Sequence, residues 1–150
     1  MEQLFRDRPQ GFTPLPRVLD QVLNDNGMYL NEKKLLVVIV TDGEPTDDRG
    51  VSAIPQFKKI LQKRHPKVYT TIVACTDDDE SVEYLNKWDR ELMNLDVVDD
   101  FRNERTEIRQ VKGRNFPFSF GDYVVKSLIG SIDRELDNMD ENKSACCSIV

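Results

Sequence analysis

Thr41-Asp42-Gly43 closes an apolar run from Leu35 to Val40, and Glu44, Asp47 and Asp48 follow it. An apolar run that stops at one carboxylate and then turns is a way to deliver an acid to a ligand-binding edge. Two other acidic groups follow apolar runs in the same manner: Asp77 to Glu80, and Asp99 with Asp100. Each has a structural alternative. Asp42 can stabilise its own turn by bonding nearby backbone amides. Glu44, Asp47 and Asp48 suit a solvated turn. Asp77 to Glu80 suit a helix N-terminus, where the helix dipole favours negative charge by about 0.3–1 kcal/mol each. The nucleophile candidates are poorer. Cys75 sits in an apolar run, so burial is expected, and His65, the single histidine, precedes that run. No Ser/His/Asp or Cys/His grouping suggests itself. Neither a Gly-rich phosphate loop nor a dinucleotide fingerprint occurs. One histidine excludes a histidine-rich metal site. The reading is therefore no enzyme, with a metal-assisted hydrolase on the acidic edge as the least favoured alternative.

The elements that would position these acids alternate. "TPLPRVLDQVL" places Leu15, Val18, Leu19, Val22 and Leu23 at helical spacing, with Thr13 as N-cap and Pro14 at the first helical position. "LLVVIV" is short, β-branched and apolar throughout, like a strand covered on both faces. "SAIPQFKKILQK" returns to helical spacing, and "VYTTIVACT" is a second strand. "DESVEYLNKWDRELM" is a helix with Val82, Leu85, Trp88 and Leu92 on one face. "LDVV" is a third strand, and "NERTEIRQV" suits a helical turn or two. "SFGDYVVKSLIGSIDREL" closes the pattern as a helix with Val125, Leu128, Ile129, Ile132 and Leu136 inward, and Ser119 with Asp122 reads as a capping box. Strands separated by helices imply right-handed crossovers and a Rossmann-like, doubly wound, mostly parallel α/β sheet with helices on both faces. Ligands then sit beyond the carboxyl ends of the strands. Asp42, the acids from Asp77 and the Asp99-Asp100 pair would line that one edge.

Bulk properties narrow the function classes. The 150 residues suit one domain, here residues 1–138, followed by an acidic tail over 139–150. Apolar content of 39% with 32% charged residues is a globular balance rather than a disordered one. A net charge of −6 argues against nucleic acid as a partner, which calls for a basic face. No apolar run approaches the roughly 20 residues that span a bilayer. The opening "MEQLFRDRPQGF" lacks a signal core, and three cysteines make no disulfide framework. A cytoplasmic location follows as the expectation.

"GFTPLPRVLDQVL" followed by "LLVVIVTDGEPTDD" resembles the C-terminal half of a von Willebrand factor A (vWA) domain. The likeness spans about residues 5 to 135. It implies a doubly wound fold and a metal-ion-dependent adhesion site built from three loops. Gly11 and Thr13 match the family's Gly-x-Thr loop, and Thr41, Asp42 and Gly43 match its Thr-Asp-Gly turn. The family's Asp-x-Ser-x-Ser loop has no counterpart, and only ten residues precede Gly11. A fragment, a half-domain with a covered edge and a decayed paralogue are the three readings open. The resemblance makes Thr13 and Asp42 the metal ligands and Mg2+ the cofactor. Mg2+ takes oxygen ligands near octahedral geometry, keeps several waters and needs few carboxylates. One hydroxyl and one carboxylate fit that chemistry but leave half the shell to water. The resemblance further implies a protein partner whose acidic group completes the shell. Without the missing strand, "LLVVIV" becomes an apolar sheet edge. The alternative function is thus a metal-free pairing module that uses this edge.

The final four residues, Cys147-Ser148-Ile149-Val150, resemble a prenylation box, and Cys146 beside it suits palmitoylation. A frayed tail with two free thiols is the plain alternative. One lipid gives only marginal membrane binding, so a second signal is the usual arrangement. The composite expectation is a lipid-anchored protein-binding module at the cytoplasmic face of a membrane.

Overall fold

The computed structural model describes residues 11–76 and 79–139. Helix α1 (Leu15–Asn26) runs into a short 3-10 turn, Gly27–Asn31, and then strand β1 (Leu35–Thr41). Helix α2 (Ile54–Gln62), strand β2 (Val68–Ala74), helix α3 (Asp79–Glu91) and strand β3 (Leu95–Val98) follow. Helices α4 (Phe101–Lys112), α5 (Phe120–Ile129) and the single turn α6 (Arg134–Asp137) complete the order. The three strands form one parallel sheet in the order β1-β2-β3, with Ile39 beside Ile72 and Ile72 beside Val97. This is the mixed α/β arrangement that alternating periods predict.

Alternation along each strand divides the sheet into two faces. Ile39, Ile72, Ala74, Leu95 and Val97 turn to one side and pack with Leu19 of α1, Phe57 and Leu61 of α2, and Leu85 and Trp88 of α3. Trp88 holds that layer together: its ring lies 6.0 Å from Phe57 and 4.7 Å from Tyr84. Burying side chains of this size is worth about 1.5–3 kcal/mol each. Arg64 ties the lower end, donating to the carbonyls of Leu61, Met93 and Asn94 at 2.8, 3.0 and 3.3 Å. Asn94 takes a left-handed φ of 55° to bring its carbonyl there.

The opposite face carries α4 and α5, and here the structure departs from expectation. The face of α5 is rotated. Lys126 and Ser127 are buried, while Val125, Leu128, Ile129 and Ile132 are exposed and Leu136 is half-buried. Lys126 turns inward because its ammonium forms ion pairs with Glu104 of α4 and Asp96 of β3, at 3.1 and 3.7 Å. Helix α4 is longer than the turn or two expected, because Asp100 caps it and Glu104 and Ile108 anchor it. The capping box of Ser119 and Asp122 forms as read.

β1 is not covered on both faces. It is the sheet's edge: one side pairs with β2 and the other pairs with no described residue. Val38 and Val40, which point to the α5 side, are 39% and 67% exposed. Among the described residues, no helix is long and apolar enough to cross a membrane.

Candidate functional site

Parallel strands bring three strand ends to one edge. Asp42 follows β1, Cys75 follows β2, and Asp99 and Asp100 follow β3. Partial desolvation, and then the nearby carboxylates of Asp100 and Asp42, push the Cys75 thiol up from its usual range. Cys75 is exposed there rather than buried, since β2 ends one residue before it. A thiol whose protonated form is favoured by desolvation and by two carboxylates is a poor nucleophile.

The turn after β1 is built by its own polar groups. The Thr41 hydroxyl donates to the Gly43 carbonyl at 3.1 Å and lies 3.3 Å from the Gly43 amide. Asp47 accepts from the amides of Arg49 and Val51 at 2.8 and 2.9 Å, which holds its carboxyl below the usual range. Asp48 pairs with Arg17 at 2.7 Å, and Ser52 bonds Glu44. The acids after Asp42 therefore shape the turn, whereas exposed Asp42 takes no part in these bonds.

Thr13 is not the cap of α1; Pro14 occupies that position, and no side chain caps the helix. Instead Thr13 is strapped to the Asp42 turn. Its amide donates to Thr46 Oγ1 at 2.9 Å, and its carbonyl accepts from the Thr46 amide at 2.9 Å. The two segments that sequence reasoning joined, around Thr13 and around Asp42, do meet. Asp99 and Asp100 serve structure: Asp100 accepts from the amides of Arg102 and Asn103, and the Asp99 carbonyl accepts from the Tyr123 hydroxyl at 3.0 Å. Asp77 and Asp78 lie outside the described residues, as do Cys146 and Cys147. His65 precedes β2, at the sheet's other end from Asp42.

A second polar assembly escaped the sequence. Among the described residues, Asp89, Asp96 and Asp137 are the group of acids close enough to share an ion. Asp96 is 1% exposed, and burial pushes its carboxyl up to about 8 against the pull of Lys126. The Asp89 carboxylate also accepts the Val97 amide at 3.0 Å, which satisfies the outer edge of β3. The one signal in the sequence was an aspartate inside the apolar stretch "LDVV".

The chain matches no protein-family model, no curated protein and no solved structure.

Proposed function

We propose that this chain is a protein-binding module of the vWA type, and that it binds by adding a partner's strand to β1. The observation that carries the reading is the open edge of β1 flanked by exposed apolar side chains. α5 packs against β1 and β2. Val38 and Val40 on the strand, with Val124, Val125, Leu128 and Ile129 on the helix, are all exposed. Soluble proteins blunt such edges with charge, proline or a covering element. Here the hydrogen-bonding row and the apolar flank lie together, which fits an extended segment with valine-like side chains facing α5. The occupant is thus a partner's apolar β-strand. A photo-crosslinking residue at Val40, with one at Val51 as control, tests this in cells. Crosslinks to another protein at Val40 alone, lost on Val125→Asp, are the expected result. Crosslinks between copies of the chain would replace the partner with self-pairing. No crosslink above the control would refute the edge reading.

The divalent-cation reading stays as a second one, supported by the strap between Thr13 and the Asp42 turn. In it, Thr13 and Asp42 hold Mg2+ with water, and a partner's acidic group completes the shell. Asp42→Ala should then abolish Mg2+-dependent partner binding without unfolding the domain; unchanged binding removes the metal role. Membrane attachment through a prenyl group on Cys147 completes the proposal. Isoprenoid labelling that disappears in Cys147→Ser is its test.

A further inference from the structure

The open edge of β1 is complementary to itself. Leu35 donates its amide to Lys67 at 3.0 Å, and the Thr41 carbonyl accepts the Cys75 amide at 2.8 Å, so the odd positions of the strand face β2. Backbone groups alternate along a strand, so Leu36, Val38 and Val40 turn theirs to the open side. The side chains of these three lie on the α5 face, where Leu36 is half-buried and both valines are exposed. One exposed charge continues the row at each end: Lys34 before the strand and Asp42 after it. Lys34 leans over the ring of Tyr69, the neighbour of Leu36, at 5.0 Å, which puts it on the same face. The row is symmetric about Val38. Laid antiparallel on a second copy, Val38 meets Val38, Leu36 meets Val40, and Lys34 meets Asp42 at both ends. The outward-facing residues then exchange pairs of backbone hydrogen bonds. Beyond this span the chain turns away on both sides, into the 3-10 turn and the Asp42 turn.

The helix layer agrees. The two-fold axis of such a pair stands perpendicular to the sheet, so both copies of α5 lie on one face. Each α5 packs against its own β1 and β2. Strands stand about 4.8 Å apart, so two helices centred on adjoining strand pairs stand about 10 Å apart. Helices pack at about 8–10 Å. Lys126 faces α4 and β3. Val124 and Leu128, two positions either side of it, therefore stand on the side of α5 away from those elements, and both are exposed.

We propose that two copies of the chain close each other's β1 edges, as an antiparallel pair centred on Val38, whenever no partner's strand is seated there. The inference rests on the edge reading above and names its regulation. A partner must displace the second copy, so the concentration of the chain itself sets the partner's apparent affinity. Each copy contributes one strand and one helix flank, the scale of a transient interface rather than a permanent one. The interface is isologous, so each favourable contact occurs twice.

Sedimentation of the purified full chain, over a concentration series in the micromolar range, should show a reversible monomer–dimer equilibrium. Lys34→Glu sets two acids opposite each other at both ends and should weaken the dimer at least about tenfold. Adding Asp42→Lys to it restores opposite signs and should recover the dimer. Circular dichroism checks that each variant folds. Register is read with cysteines, in a chain carrying Cys75→Ser, Cys146→Ser and Cys147→Ser. Facing residues of a hydrogen-bonded pair have Cα atoms about 5.5 Å apart, within disulfide reach. Val38→Cys should therefore link two copies at least about tenfold faster than Val40→Cys, which faces Leu36 instead of its own counterpart. A monomer at every concentration, a dimer indifferent to the charge reversal, or equal linking at both positions would overturn self-pairing. The edge reading would survive any of these if Val40 crosslinks to another protein in cells, and it falls by itself if Val40 crosslinks to nothing.

Discussion

Lys126→Met tests whether the α4–α5 layer is built on charge. The ammonium is fully buried, 3.1 Å from Glu104 and 3.7 Å from Asp96, and both acids are 1% exposed. Methionine fills a similar volume without the charge, so packing is nearly kept. Glu104 then loses its buried cation, and Asp96, whose carboxyl burial already raises to about 8, loses the one charge that pulls it down. Breaking a buried pair by removing one partner costs about 3–5 kcal/mol, because the surviving charge is left uncompensated. For a chain of this length that corresponds to a fall in thermal midpoint of about 6–20 °C. Urea unfolding followed by circular dichroism at pH 7, in the presence of chelator, reads it. The loss should shrink as pH falls, because the stranded acids take up protons. The triple replacement of Lys126 by Met, Glu104 by Gln and Asp96 by Asn should recover most of the stability, since a neutral interior leaves no charge to compensate. A loss under about 1 kcal/mol for Lys126→Met would refute the reasoning, for it would mean that water already reaches the ammonium.

Asp96 gives a pH signature. Its folded-state carboxyl is raised to about 8 by burial, and further by Asp137, Asp89 and Glu104. The folded state then binds a proton that the unfolded state has released, so this stability is fully present below the ordinary value and is lost as pH rises through about 8. The wild type should lose stability relative to Asp96→Asn between about pH 4 and 8, by up to about 1.4 kcal/mol per pH unit; parallel profiles would contradict it. Trp88→Ala should cost about 3–5 kcal/mol in urea titrations with an unchanged denaturant slope, because its buried ring packs against Phe57 of α2. Gly130→Ala should destabilise by about 1–3 kcal/mol, because its methyl enters the space of the Asp96 carboxylate; equal midpoints would show that the carboxylate can move aside.

Much of the frame was legible because it depends on near neighbours. The β-branched, apolar run in "VYTTIVA" and the helical spacing of Phe57, Ile60 and Leu61 are local properties, and β2 and α2 formed on them. The capping box of Ser119 and Asp122 is local as well, and it closed as read. The meeting of the Thr13 and Asp42 segments came from their resemblance to a known pair of loops, and the structure links them through Thr46, which carried no signal of its own. α5 was misjudged for a physical reason. Its valines and leucines look like an inward face until Lys126 finds two acids from other elements. The Cys75 expectation failed by one residue, since an apolar run does not mark where its strand stops.

By itself the sequence determined the alternation of strand and helix, and with it a parallel sheet that sets Asp42 at the carboxyl edge. Hydrophobic period and crossover handedness suffice for that, and both are written within a few turns of chain. The tertiary structure alone decided which surfaces are covered. It buried Lys126, left Val40 and the apolar side of α5 in the open, and drew Asp89, Asp96 and Asp137 together from three separate elements. Burial and charge compensation belong to groups that meet only after folding, so no local pattern records them.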